Sequence, residues 1–179
     1  MNDIVKPGFA LLAITVIAAF LLGGVYAVTK DTIYKNDCAA KCEAMTHVLH
    51  TADDFPEEGK TETGNKTGII SYSKGYGGGV FVGYAIEAAV VGYGGDIVLL
   101  VGIGPDGAVT GVDIVSHSET PGLGAKAGED GFREQYIGKT DIIHEYDAIS
   151  SATVTSDAVT GGVNMALEFY ADNLKEGVD

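Results

Sequence analysis

The sequence has no tryptophan, only two cysteines and four prolines, and few bases: eleven Lys and Arg against 25 Asp and Glu. Each shortage excludes something. Cys38 and Cys42 are too few for a disulfide scaffold or for a self-contained zinc or iron–sulfur site. Their C-x-x-x-C spacing puts both thiols on one face of a helix, as two small helix residues, a local disulfide or an intersubunit contact. The net charge of −14 argues against nucleic acid, because a DNA or RNA binder needs a basic footprint to displace counterions. No G-x-G-x-x-G follows a strand and opens a helix, so a Rossmann site is not expected. No G-x-S-x-G elbow supports a serine hydrolase. His117 and Glu119 bracket a strand end, but His47, His50 and His144 have no ligand spacing with them, so no metal site is expected. The acid pairs Asp53–Asp54 and Glu57–Glu58 read as solvated loop charge, and no catalytic residue is assigned.

What is present is a hydrophobic fraction of 46%, sufficient for a core, and clustered glycines that mark turns or close approach of backbone to a ligand. Gly8–Val28 (GFALLAITVIAAFLLGGVYAV) carries no charge over about the twenty residues needed to cross a bilayer. Tyr26 fits an interfacial aromatic and Lys30 an exit anchor. Residues 1–30 therefore read as a transmembrane anchor, 31–66 as a connecting helix and acidic loop, and 67–179 as the folded domain. Within that domain Gly68–Ser73 reads as a short strand and Lys74–Gly79 as a turn. Val80–Val91, Asp96–Ile103 and Ala108–Ser116 read as strands joined by Gly-rich turns, an antiparallel meander. Glu129–Ile137 reads as a short helix. A last helix starts at Ser156 or Asp157, with Val159, Val163, Ala166, Leu167, Tyr170 and Leu174 as its apolar stripe. Strands grouped between helices make the fold α+β, a mainly antiparallel sheet flanked by helices.

Two loops carry the functional signal. Glu119–Gly124 with Lys126 (ETPGLGAK) sets Pro121 and Gly122 for a tight turn, Gly124 for close approach and Lys126 as a nearby cation. Asp147–Ser156 (DAISSATVTS) places Ser150, Ser151 and Thr153 just before the last helix. Such hydroxyls either cap the helix, with Ser156 or Thr155 as the capping side chain, or help hold a phosphate near its positive end.

At these residues the chain resembles a known family. Asp147 to Thr153 resembles the D-x-x-[ST]-G-A-T motif of proteins carrying covalent FMN, with Ser151 where glycine is usual. Glu119 to Gly124 is similar to the E-T-P-G-L-G signature of the same family, and the Gly92–Gly95 stretch (GYGG) also looks familial. With the anchor, the chain is similar over nearly its whole length to G subunits of the Rnf complex, an ion-translocating ferredoxin:NAD oxidoreductase. The C subunit of the Na⁺-translocating NADH:quinone reductase is a relative of these. The resemblance implies an FMN-binding domain at 67–179 and FMN joined through its phosphate to Thr153 by a flavin transferase. It implies that Asp147, Ser150, Ser151 and Ala152 form the attachment motif, and that Glu119, Thr120, Pro121, Gly122, Leu123, Gly124 and Lys126 lie against the cofactor. The implied role is electron relay rather than independent catalysis. The implied location is the inner membrane, with the flavin domain on the periplasmic or extracellular side. Implied partners are the lipid bilayer, a D-like flavin subunit and A- and E-like iron–sulfur subunits. Two alternatives are a membrane-anchored FMN domain of another extracytoplasmic redox system and a non-enzymatic surface-binding protein.

Overall fold

The structure is a computed structural model that describes residues 8, 11, 12, 14–16, 18–20, 23, 44–55, 58–60 and 68–175. The chain divides into two compact units, Met1–Ala40 and Lys41–Asp179. In the first, each described residue is helical, and Leu11, Leu12, Ile14, Val16 and Phe20 are exposed. Much of the expected span at Gly8–Val28 lies outside the described residues, as do Cys38 and Cys42. Among the described residues no helix is long and apolar enough to cross a membrane.

The second unit is α+β. Its five-stranded sheet keeps the strands in chain order: β1 (Glu58–Lys60), β2 (Ile69–Gly77), β3 (Val80–Val91), β4 (Asp96–Ile103) and β5 (Val109–Ser116). Every pairing is antiparallel. The meander expected from the sequence is therefore present, with two corrections. The strand expected to end at Ser73 continues to Gly77, through most of the expected turn. The bend narrows to Gly78 and Gly79, whose φ values are 57° and 81°. Two successive positive φ angles match the twist of the flanking strands, so two residues suffice to reverse the chain. The second correction is β1, which lies in the expected acidic loop. It pairs with Ser71–Ser73 because the free edge of β2 offers unpaired backbone groups to any nearby extended segment.

β4 shows how the core is built. Ile97, Leu99, Val101 and Ile103 share one cluster with Val159, Val163, Ala166, Leu167 and Tyr170. Leu100 belongs to a second cluster with Met45, Val48, Leu49 and Ala85. Side chains alternate across a strand, so one uniformly apolar run feeds two layers. Helix α2 (Thr153–Asn173) covers one face and residues 44–52 cover the other. The folded domain thus begins before residue 67, since residues 44–52 complete its second core. On that second face the sheet is floored by glycine. A Cβ at Gly102 would sit 2.3 Å from the Val48 carbonyl oxygen, and one at Gly111 would sit 2.9 Å from Val48 Cα. Thr110 Oγ1 donates to the same Val48 carbonyl at 2.5 Å. The expected short helix at Glu129–Ile137 is one turn of helix, α1 (Asp130–Arg133), followed by a 3-10 turn at Glu134–Tyr136.

Candidate functional site

One end of the sheet carries a cleft of about 450 Å³, lined by Tyr93, Glu119, Thr120, Leu123, Gly124 and residues 151–155. Three segments far apart in sequence form its walls: the β3–β4 turn, the loop after β5, and the turn that enters α2. Each has a local reason for its shape. In the β3–β4 turn Gly92 N–H bonds back to Gly95 O at 2.8 Å. In the second wall Thr120 O accepts from Leu123 N at 3.1 Å and Ala125 N at 3.2 Å, winding the chain into a 3-10 turn at Gly124–Gly128. Gly122, at φ 77°, supplies the left-handed residue this bend needs.

The third wall departs from the sequence expectation. The last helix begins at Thr153, earlier than the predicted Ser156 or Asp157. Its N-cap is Ala152, with no side-chain capping bond. Ser156 and Thr155 do not cap it, because their hydroxyls are committed elsewhere. Ser156 Oγ donates to Ala152 O at 3.0 Å and accepts from Ile149 N–H at 3.0 Å. Thr155 Oγ1 donates to Glu119 Oε2 at 2.6 Å. Thr153 is consequently the first helical residue, exposed, at a helix end whose first-turn N–H groups have no intrahelical acceptor.

Glu119 joins the three walls. It is buried, only 6% exposed. Oε2 takes the Thr155 hydroxyl, and Oε1 accepts Gly94 N–H at 2.9 Å. Two glycines stand close against it. A Cβ at Gly92 would lie 2.3 Å from Oε1, and one at Gly124 would lie 2.5 Å from Oε2. Burial pushes the Glu119 carboxyl up, but the Thr155 hydroxyl, the Gly94 and Tyr93 backbone N–H groups and nearby His117 outweigh it and hold the carboxyl below its usual range.

Residues 92–168 match a family model described as the FMN-binding domain, a span that contains all three walls. Over most of its length the chain is similar to the G subunits of ion-translocating oxidoreductase complexes. It is 32% identical to the G subunit of the Na⁺-translocating ferredoxin:NAD⁺ oxidoreductase complex of Acetobacterium woodii, covering 92% of this chain and 90% of the relative. It is 34% identical to the proton-translocating counterpart of Clostridium ljungdahlii, covering 85% and 83%. It is 33% identical to the G subunit of the ion-translocating oxidoreductase complex of Methanosarcina acetivorans, covering 95% and 96%. The chain belongs to this G-subunit family. Its fold is similar to that of the C subunit of the Na⁺-translocating NADH-quinone reductase from Parabacteroides distasonis, with a TM-score of 0.55 at 16% identity, over 77% of this chain and 94% of the other. The corresponding Shewanella oneidensis protein gives 0.54 at 17% identity, over 73% of each chain.

In this member of the G-subunit family, the structure sorts the residues that the motifs single out. Glu119, Thr120, Leu123, Gly124, Ser151, Ala152 and Thr153 meet in the cleft. Pro121, Gly122 and Lys126 are exposed on the same loop without lining it. Asp147 and Ser150 also stand outside the lining. Asp147 is held instead through its backbone, with its N–H donating to Gln135 Oε1 at 2.7 Å and its carbonyl accepting from Gln135 Nε2 at 3.3 Å. Ser151 takes a φ of 67°, the one positive value at a non-glycine among the described residues. This is the position where the motif has glycine, and the backbone conformation explains why. Tyr93 and Val154 were not legible as site residues, and Thr155 was legible as a capping hydroxyl and not as a partner of Glu119. The only hint for Tyr93 was an aromatic within the Gly92–Gly95 turn.

Proposed function

We propose that this chain is the electron-relay subunit of a membrane-bound, ion-translocating ferredoxin:NAD⁺ oxidoreductase complex, carrying FMN covalently through its phosphate on Thr153 Oγ1. The observation that carries the reading is the setting of Thr153: exposed, first in a 21-residue helix without a side-chain N-cap, and on the wall of the cleft that the Glu119–Gly124 loop closes. A helix N-terminus favours an anion through its free N–H groups and dipole.

The lining fits a flavin nucleotide. Its volume lies within the range of small-molecule sites, about 300–1,000 Å³. Tyr93, Leu123 and Val154 offer apolar and aromatic surface for a flat ring. Thr120, Ser151 and the first turn of α2 offer polar groups for the ribityl chain and phosphate. Lys126 adds a cation to the adjoining loop, and Asp147, Ser150 and Ala152 belong to the motif that a flavin transferase reads. When bound, FMN supplies one- and two-electron transfer, while the protein supplies orientation and electrostatics.

The charge-free run Gly8–Val28 and the exposed apolar side chains of Leu11, Leu12, Ile14, Val16 and Phe20 support a single membrane anchor. By the family resemblance, the flavin domain faces the periplasmic or extracellular side. Its partners are the other subunits of the complex: a D-like flavin subunit and the A- and E-like iron–sulfur pair. The names of the relatives support assembly into such a complex.

The test is mass spectrometry of the full chain produced together with a flavin transferase. The peptide containing Thr153 should carry the mass of an FMN phosphoester. Thr153→Ala should remove flavin fluorescence from the denatured protein band and leave the circular dichroism spectrum unchanged. Flavin retained by that variant would move the attachment point. Thr155 could not take its place, because its hydroxyl is buried at 1% exposure and bonded to Glu119.

A further inference from the structure

Among the described residues, the buried polar side chains are Ser71, Ser73, Glu119, Thr155, Ser156 and Thr160. Glu119 is the one that carries a charge. The groups that hydrogen-bond to it are neutral dipoles, the Thr155 hydroxyl, Gly94 N–H and Tyr93 N–H, while His117 acts on it through charge alone. Ion pairs link Asp113 to Arg133 and His47, and Arg133 to Asp130, away from Glu119. Neutral donors solvate a carboxylate locally but leave its net charge in place. With a flavin covering the cleft, that charge would be screened less than it is in open water. Glu119 also lines the cleft.

We propose that Glu119 is a positioning residue whose fixed negative charge makes the flavin in this cleft harder to reduce, while its two oxygens keep the three walls in register. The inference rests on the reading that FMN occupies the cleft. Reduction adds electron density to the flavin, and a neighbouring anion opposes that addition. The carboxylate is suited to the task because it cannot relax away. Gly92 and Gly124 stand close against its two oxygens, and both oxygens are held by donors on different walls. Charge and architecture can also be separated. A Gln side chain has the same shape, its oxygen can accept the Gly94 and Tyr93 N–H groups, and its NH₂ can donate to the Thr155 hydroxyl, which accepts as readily as it donates.

The experiment compares the full-length, flavin-loaded protein with its Glu119→Gln variant in detergent. In a spectroscopic redox titration at neutral pH, the flavin that the variant carries, whatever its occupancy, should have its midpoint potential shifted positive. An unchanged potential of the bound flavin overturns the inference and leaves Glu119 as an architectural residue only. The wild-type protein gives a second measurement that does not depend on the variant folding. Coupling between two charges is reciprocal, so the Glu119 carboxyl, followed by ¹³C NMR, should titrate at higher pH in the reduced holoprotein than in the oxidised one. His117 and Tyr93 are the titratable neighbours to follow in the same spectra. Equal titration in both redox states overturns the tuning role. Wild-type protein that takes up no flavin refutes the cofactor reading itself, an outcome distinct from flavin bound without a shift.

Discussion

Thr155 Oγ1 and Glu119 Oε2 lie 2.6 Å apart, though 36 residues separate them in the chain. Their bond ties the first turn of α2 to the loop after β5, and so fixes two walls of the cleft against each other. Hydrogen bonds to a charged group contribute about 1.5–3 kcal/mol to stability. Thr155→Val keeps the side-chain shape and removes the donor. Urea denaturation should show a loss of about 2 kcal/mol, and an unchanged midpoint would mean that the bond contributes nothing net.

The same carboxylate gives the fold an acid sensitivity of known sign. Burial raises the Glu119 pKa, but its hydrogen-bond donors outweigh that and leave it lowered in the folded state. Its unfolded value is about 4.3. Below that pH the unfolded chain binds the proton more readily than the folded one. The stabilisation is therefore present above about pH 4.3 and is lost as pH falls through the lower folded value. Denaturation curves of wild type and Glu119→Gln should converge on acidification through this window, whereas a constant gap would show that the carboxylate is not the group responsible.

Ser151 is held at φ 67°, a conformation that costs a residue with a Cβ about 1–2 kcal/mol. Glycine relieves this strain but loses more freedom on folding, about 0.5–1 kcal/mol. Ser151→Gly, which restores the usual motif residue, should raise stability by about 0.5–1 kcal/mol. Ser151→Val should lower it. The order Gly, Ser, Val in thermal denaturation checks the argument, and any other order refutes it.

On the opposite face of the sheet, Gly111 lies under the backbone of residue 48, where an added Cβ would stand 2.9 Å from Val48 Cα. A backbone atom cannot swing aside as a side-chain tip can. Gly111→Ala should push residues 44–52 off the sheet, loosening the cluster of Met45, Val48, Leu49, Ala85 and Leu100. Overpacking of this kind costs about 1–3 kcal/mol. Hydrogen exchange should quicken at Leu49 and Ala52, whose amides bond to Met45 O and Leu49 O, before it quickens in α2.

Several elements were legible from pattern alone. The stripe Val159, Val163, Ala166, Leu167, Tyr170 and Leu174 is buried as its spacing predicts. Asp96–Ile103 is a strand with the predicted bounds. Both follow from neighbours within a few residues, where periodicity and turn chemistry act. The start of α2 was misread for the same reason. The hydroxyls of Thr155 and Ser156 look like caps locally, yet one is drawn to Glu119 and the other bonds back to Ala152 O. β1 was missed because its pairing comes from an open sheet edge and not from its own residues.

The sequence by itself determined the α+β class and the order of the two motif loops, because these depend on residue type and near spacing. Only the tertiary structure decided that Glu119 is a buried anion enclosed by Gly92 and Gly124, that Tyr93 joins the site, that Ser151 occupies a glycine conformation, and that residues 44–52 complete the domain. Each of these depends on how closely segments far apart in the chain approach one another, and folding sets that distance through the packing of both faces of one sheet.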